Sequence, residues 1–110
     1  MLKHTLATLE EKIKNSKNIP EDKKPEYYNL LNRLNEEVTS LAETDLEKAE
    51  SIKKFAKASA HEATREELNP NLLKASLEGL YESVREFHSS HPRLVETVNN
   101  ICIFLSKLGI

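Results

Sequence analysis

Residues 69–87 read NPNLLKASLEGLYESVREF, and this stretch decides the fold. Asn69 followed by Pro70 is a helix start. An Asn side chain accepts hydrogen bonds from the first free amides, and Pro, with fixed φ and no N–H, loses nothing at the first helical position. Leu73, Leu77, Leu80, Val84 and Phe87 then recur at alternating spacings of four and three, with Leu72, Ser76 and Tyr81 beside them. Such positions share one face only on a helix, so the spacing predicts a helix over 70–88.

Downstream, Ser89-Ser90-His91-Pro92 repeats the punctuation, with Pro92 opening a helix over about 92–108. Leu94, Val95, Val98, Ile101, Cys102, Leu105 and Leu108 line its face, and Gly109 suits the stop. The run Ile101-Cys102-Ile103-Phe104-Leu105 goes round more than one face. A helix apolar on several sides must be covered on several sides, by its own chain or by another copy.

Upstream, residues 45–68 read as a helix with a small inner face: Ala49, Ile52, Ala56, Ala60 and Ala63, with Phe55 the one large residue nearby. Small faces let helices approach closely but bury little area per residue. This segment is therefore expected to be the most mobile or the most dependent on a partner. Before it, Tyr27, Leu30, Leu31, Leu34, Val38 and Leu41 mark a helix over 25–43, and Leu2, Leu6, Leu9 and Ile13 another over 2–15. Thr44 and Glu47 have capping-box spacing, which predicts a break there; the alternative is one long helix through 25–68. The fold class is all-α, a small antiparallel bundle of four to five helices in one domain.

Composition agrees. The chain has 110 residues, with 38% hydrophobic, 31% charged and two glycines. That is enough for one core and too few turn residues for a sandwich or barrel. A net charge of -2 and six scattered aromatic rings supply neither the basic field nor the stacking platform of a nucleic-acid binder. No apolar run approaches the roughly 18 residues of a membrane span, so no stable insertion is expected. The N-terminal residues carry no apolar leader, and the lone Cys102 excludes an internal disulfide. A reducing, cytoplasmic location is the expectation.

Chemical motifs are sparse. His61-Glu62 begins like a zinc-protease helix, but position 65 is Arg65 instead of the second His. His88 and His91 sit three apart at a helix junction with no adjoining ligand cluster, and no His has Glu three residues before it, as a di-iron bundle would require. Cys102 has apolar helix neighbours, unlike an activated thiolate. Lys48, Lys53, Lys54 and Lys57 are interspersed with acids and read as a solvated face. No metal, cofactor or catalytic set emerges.

The second half resembles a family of small bacterial proteins known only as a domain of unknown function. The matching residues are His61-Glu62-Ala63-Thr64-Arg65-Glu66, Asn69-Pro70 with Leu72-Leu73, Ser76-Leu77 with Gly79-Leu80, Ser83-Val84, Phe87 and Ser90-His91-Pro92-Arg93-Leu94. Val98-Asn99, Ile101-Cys102 and Leu105-Ser106-Lys107-Leu108-Gly109-Ile110 continue it. The resemblance covers roughly residues 50 to 110; the first 45 share only a helical hairpin pattern. It implies a bacterial, soluble, helical protein and brings no activity, so no site residue is carried over. Family members often have Glu where this chain has His88.

The expected function is a non-enzymatic helical assembly module that self-associates, with a homodimer favoured and an unidentified protein partner as the variant. Ile101, Ile103, Phe104 and Leu108 are the interface candidates. The alternative is a small-ligand or ion site built on His61, Glu62 and Arg65 with His88 or His91, which requires those side chains to converge.

Overall fold

Five helices form where the apolar stripes place them in the computed structural model, which describes residues 3–109. They are α1 (Lys3–Asn15), α2 (Lys24–Ala42), α3 (Leu46–Ala63), α4 (Pro70–Val84) and α5 (Pro92–Ser106). Single 3₁₀ turns precede α2 (Glu21–Lys23) and follow α4 (Arg85–Phe87) and α5 (Lys107–Gly109). No strand occurs among the described residues. Leu2, from the predicted stripe of the first helix, lies outside them, as does Ile110.

The break between α2 and α3 is real, but its chemistry differs from the predicted capping box. The N-cap is Asp45, whose carboxylate accepts from Lys48 N at 3.1 Å. Thr44 instead turns its hydroxyl back to Leu41 O. At the start of α4, Asn69 Oδ1 accepts from Asn71 N at 3.0 Å and Leu72 N at 3.2 Å, as the Asn-Pro signal predicts. The third helix ends at Ala63, not at 68. The reason is tertiary: Asn18, on the linker after α1, donates through Nδ2 to Ala63 O at 3.1 Å and Arg65 O at 2.6 Å. Carbonyls that would have continued the helix are satisfied from another segment.

The first residue of α2 ties down α1. Lys24 is buried, and its ammonium donates to Lys14 O at 2.8 Å and to Glu21 Oε1 at 2.7 Å. A cation at a helix C-terminus meets the negative end of the dipole. Sequence periodicity could not see this, because a Lys scores as surface.

α2, α3, α4 and α5 form a closed ring in which each helix packs on two neighbours. Their short connections make consecutive helices antiparallel. Phe55 over Gly79 and the ion pair of Lys48 with Glu86 set one register for α3 and α4. α1 lies outside the ring, across α2 and α3. The radius of gyration, 13.0 Å, equals the ~13 Å expected of a compact chain this long.

The core is the sum of the predicted stripes. Leu31, Leu34, Ile52, Ala60, Leu73, Leu80, Leu94 and Leu105 are fully buried. The pairing of α3 with α4 is the most extensive in the molecule, so the small-residue helix obtains its packing from its own chain. Tyr27 stacks on Phe104 with ring centroids 5.4 Å apart. Its hydroxyl has no hydrogen-bond partner among the described residues, and burial pushes the phenol far above its ordinary range.

Candidate interaction surface

The five candidate ligand residues fall at opposite ends of the bundle. His61 and Arg65 are exposed at the C-terminal end of α3, above a shallow depression shared with Thr8, Lys12 and Asn15. Arg65 Nε lies 2.8 Å from Glu62 Oε1. That is an ion pair whose N–H is not aimed at the oxygen, which has no aligned donor. His88 and His91 belong to the other end, where Lys48, near the start of α3, pairs with Glu86 and sits over the Phe87 ring. Thirteen helical positions, about 20 Å at the α-helical rise, separate Lys48 from His61. His91 packs edge-on against Phe87 at 5.6 Å, with Nδ1 3.0 Å from Ser90 Oγ. It is a helix-start residue. Among the described residues no three His, Cys, Asp or Glu side chains gather as a metal site.

The four interface candidates also divide. Ile101 and Phe104 are buried in the chain's own core, the second against Tyr27; as free surface they are corrected. Leu108 is half-buried against the same core. The helix apolar all round is explained on two sides, because α5 packs on both α2 and α4. One side remains, and Ile103 stands on it, 48% exposed.

Ile103 is a ridge between two grooves. On the α4 side lies an apolar groove of about 770 Å³, with Leu73, Leu77 and Cys102 in its wall and Tyr81, 40% exposed, on its rim. Lys74, Glu78 and Glu82 border it. Cys102 Sγ lies 3.6 Å from Leu77 O, and burial pushes its thiol up to about 11. That is a protonated, weakly reactive sulfur at neutral pH. On the α2 side lies a groove of about 500 Å³, bordered by Lys23, Arg33 and Lys107 against the single acid Glu26. Residue periodicity had placed Tyr81 beside the stripe of α4, and no pattern singled out Arg33, Lys74 or Glu82. These residues join one surface only through the packing of three helices.

Fold and surface define an all-α bundle with an open apolar groove between its last two helices. The family model described as a domain of unknown function (DUF4404) matches residues 2–110, and the chain belongs to that family. The match extends the resemblance of the second half over the helical hairpin at the start. No curated protein and no solved structure matches the chain. No helix among the described residues is long and apolar enough to cross a membrane.

Proposed function

We propose that this chain is a non-enzymatic helical assembly module that pairs with a second copy of itself through the surface centred on Ile103. The observation that supports this reading most is the apolar groove between α4 and α5, with a half-exposed isoleucine on one rim and a half-exposed tyrosine on the other. On the opposite side of the ring, α2 and α3 are covered by α1. Between α3 and α4, Phe55 lies over Gly79 and fills the space. Among the described residues, the α4–α5 face has no such cover.

A second copy suits this face because one patch carries both knob and hole. A two-fold contact uses the same surface twice, so a ridge beside a groove of similar size is self-complementary. Aromatic and large aliphatic side chains at the centre of a patch supply most of the energy of such contacts. The alternative of a ligand site loses its basis, since His61, Glu62 and Arg65 do not meet His88 or His91.

Light scattering on a sizing column, over a range of concentrations, tests the proposal. The wild-type chain is expected to run as a dimer, and Ile103→Glu as a monomer with unchanged helicity by circular dichroism. A wild-type monomer at every concentration would end this reading.

A further inference from the structure

The two grooves beside Ile103 differ in charge, and their charges stand at matching heights. Resting on the self-association just proposed, we infer that the two copies pair about a two-fold axis parallel to α5, so that the α4 flank of each faces the α2 flank of the other.

Heights along the bundle follow from two contacts. Cys102 Sγ meets Leu77 O, which puts position 102 of α5 level with position 77 of α4. Tyr27 stacks on Phe104, which puts position 104 level with position 27 of α2. Both neighbours run antiparallel to α5, and residues on an α-helix rise about 1.5 Å each. Glu82, five positions beyond Leu77, is then level with position 97 of α5. Arg33, six positions beyond Tyr27, is level with position 98. Lys74, three before Leu77, and Glu26, one before Tyr27, are both level with position 105. All four side chains are exposed.

A two-fold axis parallel to α5 preserves height while exchanging the flanks. Glu82 of one copy then faces Arg33 of the other within about one helical rise, and Lys74 faces Glu26 at the same height. Each pair occurs twice. The contact of Glu82 with Arg85 in the turn after α4, at 3.3 Å, is exposed and weak and does not compete. An axis perpendicular to α5 would invert heights and set each flank against itself. With Ile103 at the centre, Lys23 of one copy would then meet Arg33 of the other, like against like, and Glu82 and Glu26 would lose their cations, against the one gain of Lys74 with Glu78. Charge juxtaposition of this kind fixes orientation more than it adds affinity.

The test uses exposed positions, so folding is preserved, and circular dichroism verifies it. Arg33→Glu and Glu82→Lys are each expected to weaken the homodimer roughly tenfold at low salt. An equimolar mixture of the two variants is expected to recover the dimer mass as a heterodimer, because both mismatched contacts are repaired in it. If Arg33→Glu instead strengthens the homodimer, or the mixture recovers nothing, the parallel arrangement is overturned while self-association stands. If the wild-type chain is monomeric, both fall together.

Discussion

α3 and α5 solve the same burial problem with opposite materials. α3 presents Ala49, Ala56, Ala60 and Ala63 inward and gains by proximity. α5 presents Leu94, Val98, Ile101, Phe104 and Leu105 and gains by area. The helix that looked too small to hold itself is held on three sides, by α1, α2 and α4. The helix that is apolar round more than one face packs on two sides and keeps Ile103 exposed on a third. The size of the inward residues therefore does not set how well a helix is covered; the number of packed sides does.

The largest expected effects separate the two materials. Leu105→Ala removes area from a fully buried site and is expected to lower stability by about 3 kcal/mol. Ala60→Leu forces volume into the close contacts of α3 and is expected to lower it by about 2 kcal/mol, through strain instead of a cavity. Urea unfolding measures both. A tolerant Ala60→Leu would mean that α3 has slack and that its small face is not there for close approach.

Cys102 sharpens the comparison from the α5 side. With its thiol raised to about 11, the folded chain should hold roughly a hundredfold less thiolate at pH 8 than an unperturbed cysteine, and alkylation by iodoacetamide should be correspondingly slower than in urea. The neutral thiol is favoured by the fold, so this contribution is complete below the unfolded pKa near 9 and is lost as pH climbs through the folded value near 11. Equal alkylation rates in folded and unfolded protein would show the groove to be wetter than its packing implies.

The smallest effect belongs to Gly79. A Cβ there would stand 2.5 Å from Phe55 Cε1, yet Ala favours a helix over Gly by about 1 kcal/mol. The Phe55 ring is partly exposed and can swing aside, so Gly79→Ala is expected to change stability by less than about 1 kcal/mol. Combined with Phe55→Ala, the same change should carry a smaller steric penalty than it does alone. A large loss in both backgrounds would show that α3 and α4 backbones, not the ring, set the limit.

Much of the fold is legible in local sequence. The Asn69-Pro70 cap, the Leu73 to Val84 stripe and the all-α class rest on local backbone chemistry and on periodicity, which neighbouring residues suffice to express. The end of α3 did not follow from such signals, because Asn18, far away in the chain, terminates it. Buried Lys24 was invisible for the same reason. The candidate site was legible only in part. Ile103 was named among four residues, and two of those, Ile101 and Phe104, lie inside the core.

The order of apolar and polar residues along this chain determined which segments are helical and which face of each turns inward, since both are properties of a 3.6-residue period. Which outward residues become a surface was decided by tertiary structure alone. Tyr81, Ile103 and Arg33 come from three helices, and only the packing of α2 and α4 on either side of α5 brings them to one place.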